Sequence, residues 1–124
     1  MTPTNAALVY AGLTALPLAM QLALAAGAPL GRFSVGGRFA GRLPPAWRIL
    51  ALVQGGVLAA MAVTVLDHGG VLAIGMTAGA IWVVFALTVL TLIANAASPS
   101  RPERLLWTPV TALMALAALG TALL

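Results

Sequence analysis

The charged chemistry of this sequence rests on few residues: six arginines, the carboxylates Asp67 and Glu103, and one histidine, His68. Asp67 and His68 are neighbours, but one carboxylate and one imidazole fall short of the roughly four ligands of a closed zinc site. The histidine would offer haem one axial ligand and no second. Asp67 serves equally well to cap the turn or the helix that follows. Glu103 stands between Arg101 and Arg104, where it could work as an acid or a proton carrier. Its spacing from Ser100 fits a capping box instead: the serine hydroxyl accepts from the residue-103 amide, and the Glu103 carboxylate reaches back to the Ser100 amide. Cysteine is absent, which removes disulfides, thiolate metal sites and dithiol redox chemistry. No nucleophile, base and metal set can be assembled from these residues, so neither an enzyme nor a bound cofactor is expected.

Three neutral amides stand out because of where they lie. Gln21, Gln54 and Asn95 fall in or at the edge of long apolar runs, where an unpaired amide is costly. Interhelical hydrogen bonding, at about 1 kcal/mol each, would account for them. Convergence of all three on one hydrated cavity would instead mark a ligand site. Small residues are spaced for close helix approach at Gly75 and Gly79, at Gly56 and Ala60, and at Ala118 and Ala122, the first pair forming a GxxxG. Pro17 and Pro109 lie inside apolar runs and should free the carbonyls of Leu13 and Leu105, with Thr14, Thr108 and Thr111 close enough to help satisfy the local backbone.

These residues are positioned by a chain made for lipid. Of 124 residues, 62% are hydrophobic and 6% charged, and mean hydropathy is +1.09. A water-soluble domain carries about a quarter charged residues. Four apolar runs, about 6–28, 47–66, 70–94 and 105–124, each approach the roughly 20 residues that cross a bilayer as a helix. They predict an all-α integral membrane four-helix bundle in one domain. The first run ends in Ala26-Gly27-Ala28, which has the look of a cleavage site, but no basic residue precedes it. It is read as a retained helix.

Arg32, Arg38, Arg42 and Arg48 lie in or just after the first connection, and Arg101 and Arg104 in the third. With four spans, all six fall on one face, which the positive-inside rule makes cytoplasmic, and both termini then face outward. Trp47 and Trp107 open the second and fourth runs at that face, the level that indoles prefer. Gly31-Arg32-Phe33, Gly37-Arg38-Phe39 and Gly41-Arg42-Leu43 repeat arginine beside an apolar residue, which suits anionic lipid headgroups. No lysine follows the glycines as a phosphate-binding loop requires. A pI near 11.7 therefore reads as topology and lipid contact rather than nucleic-acid binding.

The stretch from Asn95 to Val110, with Glu103-Arg104 followed by Trp107, Pro109 and Val110, resembles small bacterial membrane proteins of unassigned function. That resemblance implies four spans with an arginine-rich first loop in the bacterial inner membrane, and it carries over no activity. Small multidrug transporters have similar length but use a membrane-embedded glutamate in the first helix, where this chain offers Gln21. Small lipid-linked sugar flippases share the span number but have a different opening segment. The expectation is a non-enzymatic accessory, assembly or interaction component acting through helix packing, with a membrane-protein partner or as a homo-oligomer. The alternative is a small oligomeric transporter or channel for a neutral or lipidic solute.

Overall fold

The computed structural model describes all residues, Met1–Leu124, and contains no strand. Four helices follow one another: α1 (Pro3–Ala25), α2 (Pro45–His68), α3 (Ala80–Ala96) and α4 (Arg101–Leu123), with two 3-10 turns, Gly31–Phe33 and Val35–Gly37, in the first connection.

Local chemistry sets most of the helix ends. Thr2 caps α1, its hydroxyl accepting from the Asn5 amide at 3.1 Å, and Pro3 occupies the first turn. α1 closes with Gly27 at φ +97° and the Ala28 amide donating to the Ala23 carbonyl at 2.9 Å. α2 closes in the same way, through Gly70 at φ +82° and the Val71 amide on the Leu66 carbonyl at 2.9 Å. Both are Schellman ends, which need a left-handed residue that glycine supplies without strain. The Arg48 Nε donates to the Ala25 carbonyl at 3.1 Å, placing a cation on the negative end of α1.

The apolar run 70–94 does not form one helix, a correction to the sequence expectation. Helix begins only at Ala80. Gly70 and Gly75 take positive φ, and the Asp67 carboxylate draws off three amides that a helix would use. Its Oδ1 accepts from Ile74 at 2.6 Å and Gly75 at 3.1 Å, and its Oδ2 from Met76 at 3.0 Å. Asp67 thus holds the loop rather than capping a helix.

α1 packs against α2 and α4, and α3 packs against α4, whereas α2 and α3 meet along a short stretch only. At the end away from the arginines all four helices close on one core, with Tyr10, Met61, Val65, Ile81, Val84, Met114 and Ala118 at its centre. Within it the Thr88 hydroxyl donates to the Val84 carbonyl at 2.7 Å, so the Tyr10 hydroxyl, 2.9 Å from Thr88 Oγ1, is the donor of that second bond. At the arginine end a smaller cluster of Leu24, Leu43 and Ala51 joins α1, α2 and the first connection.

The outer surface is apolar, with Ile49, Val53, Val83, Leu90, Leu105 and Leu116 each more than half exposed. α1, α2 and α4 are long and apolar enough to cross a membrane, and α3 is a shorter apolar helix of 17 residues. This is the surface of a membrane protein, for which hydrocarbon rather than water is the solvent.

The small-residue pairs sit differently from expectation. Gly56 and Ala60 face outward, and a Cβ on Gly56 would meet nothing within 4 Å. Gly55, one position earlier, makes the helix contact: its Cβ would lie 3.5 Å from Leu18 and 3.6 Å from Gln21. Gly75 lies in the loop and Gly79 just before α3, so that GxxxG makes no helix contact. Ala118 is fully buried and Ala122 packs beside it. Two of the threonines near the prolines do bond the local backbone, though not the carbonyls of Leu13 and Leu105. Thr14 donates to the Tyr10 carbonyl at 2.8 Å and Thr111 to the Trp107 carbonyl at 2.7 Å, while the buried Thr108 hydroxyl has no partner.

Candidate functional site

Because α2 and α3 separate towards the arginine end, a cleft of about 430 Å³ opens between them. Its floor comes from α1 (Pro17, Met20, Gln21) and α4 (Trp107, Thr111, Met114), and its walls from α2 and α3. Phe33, Ser34, Val35 and Leu43 of the first connection line its arginine end. The converging core around Tyr10 and Met61 closes the other end. The size lies within the range of small-molecule sites.

Gln21, Gln54 and Asn95 all line this one cleft. The Asn95 Nδ2 donates to Thr111 Oγ1 over a long 3.4 Å. The Gln21 Oε1 is buried and accepts from nothing. Gln54 is exposed on the α2 wall. An unpaired buried amide oxygen costs about 1–3 kcal/mol, so a donor reaching Gln21 from the cavity would be stabilising.

The first connection is fastened over the cleft. Gly36 donates its amide to Glu103 Oε2 at 2.8 Å, and the Ser98 hydroxyl donates to the same oxygen at 3.1 Å. The Ser100 hydroxyl donates to the Arg32 carbonyl at 2.6 Å, and the Trp107 Nε1 to the Phe33 carbonyl at 2.9 Å. Val35, Gly36 and Gly37 all take positive φ, sparse territory for a β-branched valine, and this reversed turn faces Glu103.

The expected capping box is therefore half formed. Ser100 does cap α4, accepting from the Glu103 amide at 3.4 Å. The Ser100 amide, however, donates to Ser98 Oγ at 3.1 Å, and Glu103 spends its carboxylate on the first connection. Sequence spacing shows local partners and could not show Gly36, 67 residues away.

The arginines divide. Arg48 is committed to α1, and Arg104 Nη1 donates to the Ser98 carbonyl at 2.8 Å. Arg32 stacks over Phe33 at 4.8 Å, and Arg38 over Phe39 at 5.3 Å and Trp47 at 5.7 Å. Arg42 and Arg101 are exposed. None of the six lines the cleft, whose one charged lining residue is Glu103.

At the other end, Asp67 and His68 border a shallow, open depression. The amide of Met76, followed by those of Gly75 and Ile74, holds the Asp67 carboxyl below the usual carboxylate range. Asp67 follows the last apolar residue of α2 and is partly exposed. No group of three His, Cys, Asp or Glu side chains is placed to hold a metal. No protein-family model, curated protein or solved structure matches the chain.

Proposed function

We propose that this chain is a four-span protein of the bacterial inner membrane, a helix bundle with its arginine face cytoplasmic and both termini outside, that binds or carries a neutral or lipidic solute through the α2–α3 cleft. The observation that carries this reading is that Gln21, Gln54 and Asn95 line a single cavity, with the buried Gln21 oxygen unpaired and Asn95 held only by a long bond to Thr111. With the arginine end cytoplasmic, the cleft opens sideways to the inner leaflet, and a lipid-soluble molecule reaches it without crossing water. The closed core around Tyr10 supports a carrier or binding protein over a continuous pore. No reacting group is assigned, and the function is non-enzymatic. Arg42 and Arg101, with the stacked Arg32 and Arg38, are placed for anionic headgroups around the cytoplasmic rim.

The second reading is an accessory component whose partner, a larger membrane protein or another copy of the chain, inserts a helix into the same seam. The sparse α2–α3 contact favours it. Native mass spectrometry of the protein released from nanodiscs separates the two. The carrier reading expects about one retained amphiphile per chain and its loss in Gln54→Trp, where an indole fills the cleft from an exposed position. A stoichiometric protein partner displaced by the same substitution, with no retained amphiphile, would establish the accessory role instead.

A further inference from the structure

We infer that the cleft selects an uncharged amphiphile whose headgroup donates hydrogen bonds, as a diacylglycerol-type alcohol does, and turns away lipid phosphate. The inference deepens the proposed ligand site and rests on it.

The lining presents open acceptors beside the amide N–H groups of Gln21, Gln54 and Asn95. The Gln21 Oε1 is buried without a partner. Thr91 gives its hydroxyl proton to the Leu87 carbonyl at 2.9 Å, and Thr111 gives its own to Trp107 at 2.7 Å. The Thr91 oxygen is thereby left as an acceptor, whereas the Thr111 oxygen already accepts from Asn95 at 3.4 Å. Glu103, at the arginine end, is a further acceptor. A hydroxyl or amide N–H from a headgroup would satisfy such a lining.

Charge argues in the same direction. The cations nearest by sequence are engaged elsewhere: Arg48 with the end of α1, Arg104 with the Ser98 carbonyl, and Arg32 and Arg38 with the rings of Phe33, Phe39 and Trp47 at the arginine end. A phosphate drawn into the cleft would face the Glu103 carboxylate without a cation among the lining residues, and an unpaired buried charge is strongly disfavoured. Anionic lipid thus belongs to the rim and the neutral amphiphile to the interior. The rest of the lining, including Met20, Leu50, Val57, Leu58 and Met114, suits an acyl chain.

Two photoactivatable probes with identical acyl chains, one a diacylglycerol and one a phosphatidic acid, test this in phosphatidylcholine nanodiscs. The diacylglycerol should label α2 and α3 peptides saturably, with unlabelled diacylglycerol competing and unlabelled phosphatidic acid not. Gln21→Leu removes a buried acceptor and should weaken that labelling by about three- to tenfold, the worth of one hydrogen bond. Gln54→Leu, at an exposed position, should also weaken it while leaving the fold intact. Phosphatidic acid labelling the cleft as well as diacylglycerol would overturn the headgroup inference and leave the ligand site standing. Wild-type labelling in both variants would overturn it too. If neither probe labels α2 and α3, the ligand site itself falls.

Discussion

The Gly36 amide donates to the Glu103 carboxylate at 2.8 Å, fastening the arginine-rich first connection to the first turn of α4. The contact joins residues that no local motif links, and it decides where Phe33, Val35 and the other residues at the arginine end of the cleft sit.

Glu103→Ala should loosen this fastening. Two hydrogen bonds to a partly exposed carboxylate end, at a cost of about 1–2 kcal/mol given their exposure. Trypsin should then cut faster after Arg38 and Arg42 in nanodiscs, with Glu103→Gln intermediate because its carbonyl still accepts. Unchanged cleavage in the alanine variant would show that the first connection is held by other contacts.

Two glycine-to-alanine changes should behave oppositely. At Gly31 a Cβ would collide with the Phe39 carbonyl oxygen and sit 2.6 Å from the Gly41 carbonyl oxygen, backbone atoms that cannot move alone. A loss of about 1–3 kcal/mol follows. At Gly56 the Cβ meets nothing, and alanine favours the helix by about 0.5–1 kcal/mol. Thermal unfolding in detergent should place Gly31→Ala below the parent and Gly56→Ala level with it or above.

Tyr10 and Thr88 are an asymmetric pair. Tyr10→Phe removes the donor and leaves Thr88 bonded to the Val84 carbonyl, so it should cost about 1 kcal/mol. Thr88→Val leaves the fully buried Tyr10 hydroxyl without its acceptor and should cost more, about 1–3 kcal/mol. The order of the two melting temperatures checks the assignment of donor and acceptor.

The loop after α2 should respond to acid. The Asp67 carboxyl lies below its ordinary range because amides bind its ionised form. Its contribution is therefore full above the unfolded value and lost as pH falls through the folded one. Amide hydrogen exchange at residues 74–76 should be slow at neutral pH after correction for the intrinsic rate, and faster in strong acid and in Asp67→Asn. A pH-independent protection factor would contradict the role given to the carboxylate.

Continuous apolar runs marked α1, α2 and α4 well, since length and hydropathy are properties of the chain alone. The same signal failed at 70–79, where Gly70, Gly75 and the Asp67 carboxylate outweigh apolar composition in choosing loop over helix. Gln21, Gln54 and Asn95 were legible as unusual residues, but their shared cavity depends on the gap between α2 and α3. That gap is a tertiary fact with no local signature. Gly56 and Gly55 show a related limit: spacing identifies pairs, and only rotation about the helix axis decides which glycine faces a neighbour within the chain.

Entry of an amphiphile into the cleft can be read directly from Trp107, which lines it and is 8% exposed, against Trp82, outside it and 45% exposed. Trp47→Phe with Trp82→Phe leaves Trp107 as the sole indole, and Trp47→Phe with Trp107→Phe leaves Trp82. In nanodiscs titrated with dibrominated diacylglycerol, Trp107 should be quenched saturably at low mole fraction, while Trp82 quenching rises in proportion to the bromolipid. Trp107 quenching that only tracks bulk bromolipid, or no quenching, would contradict a ligand site between α2 and α3.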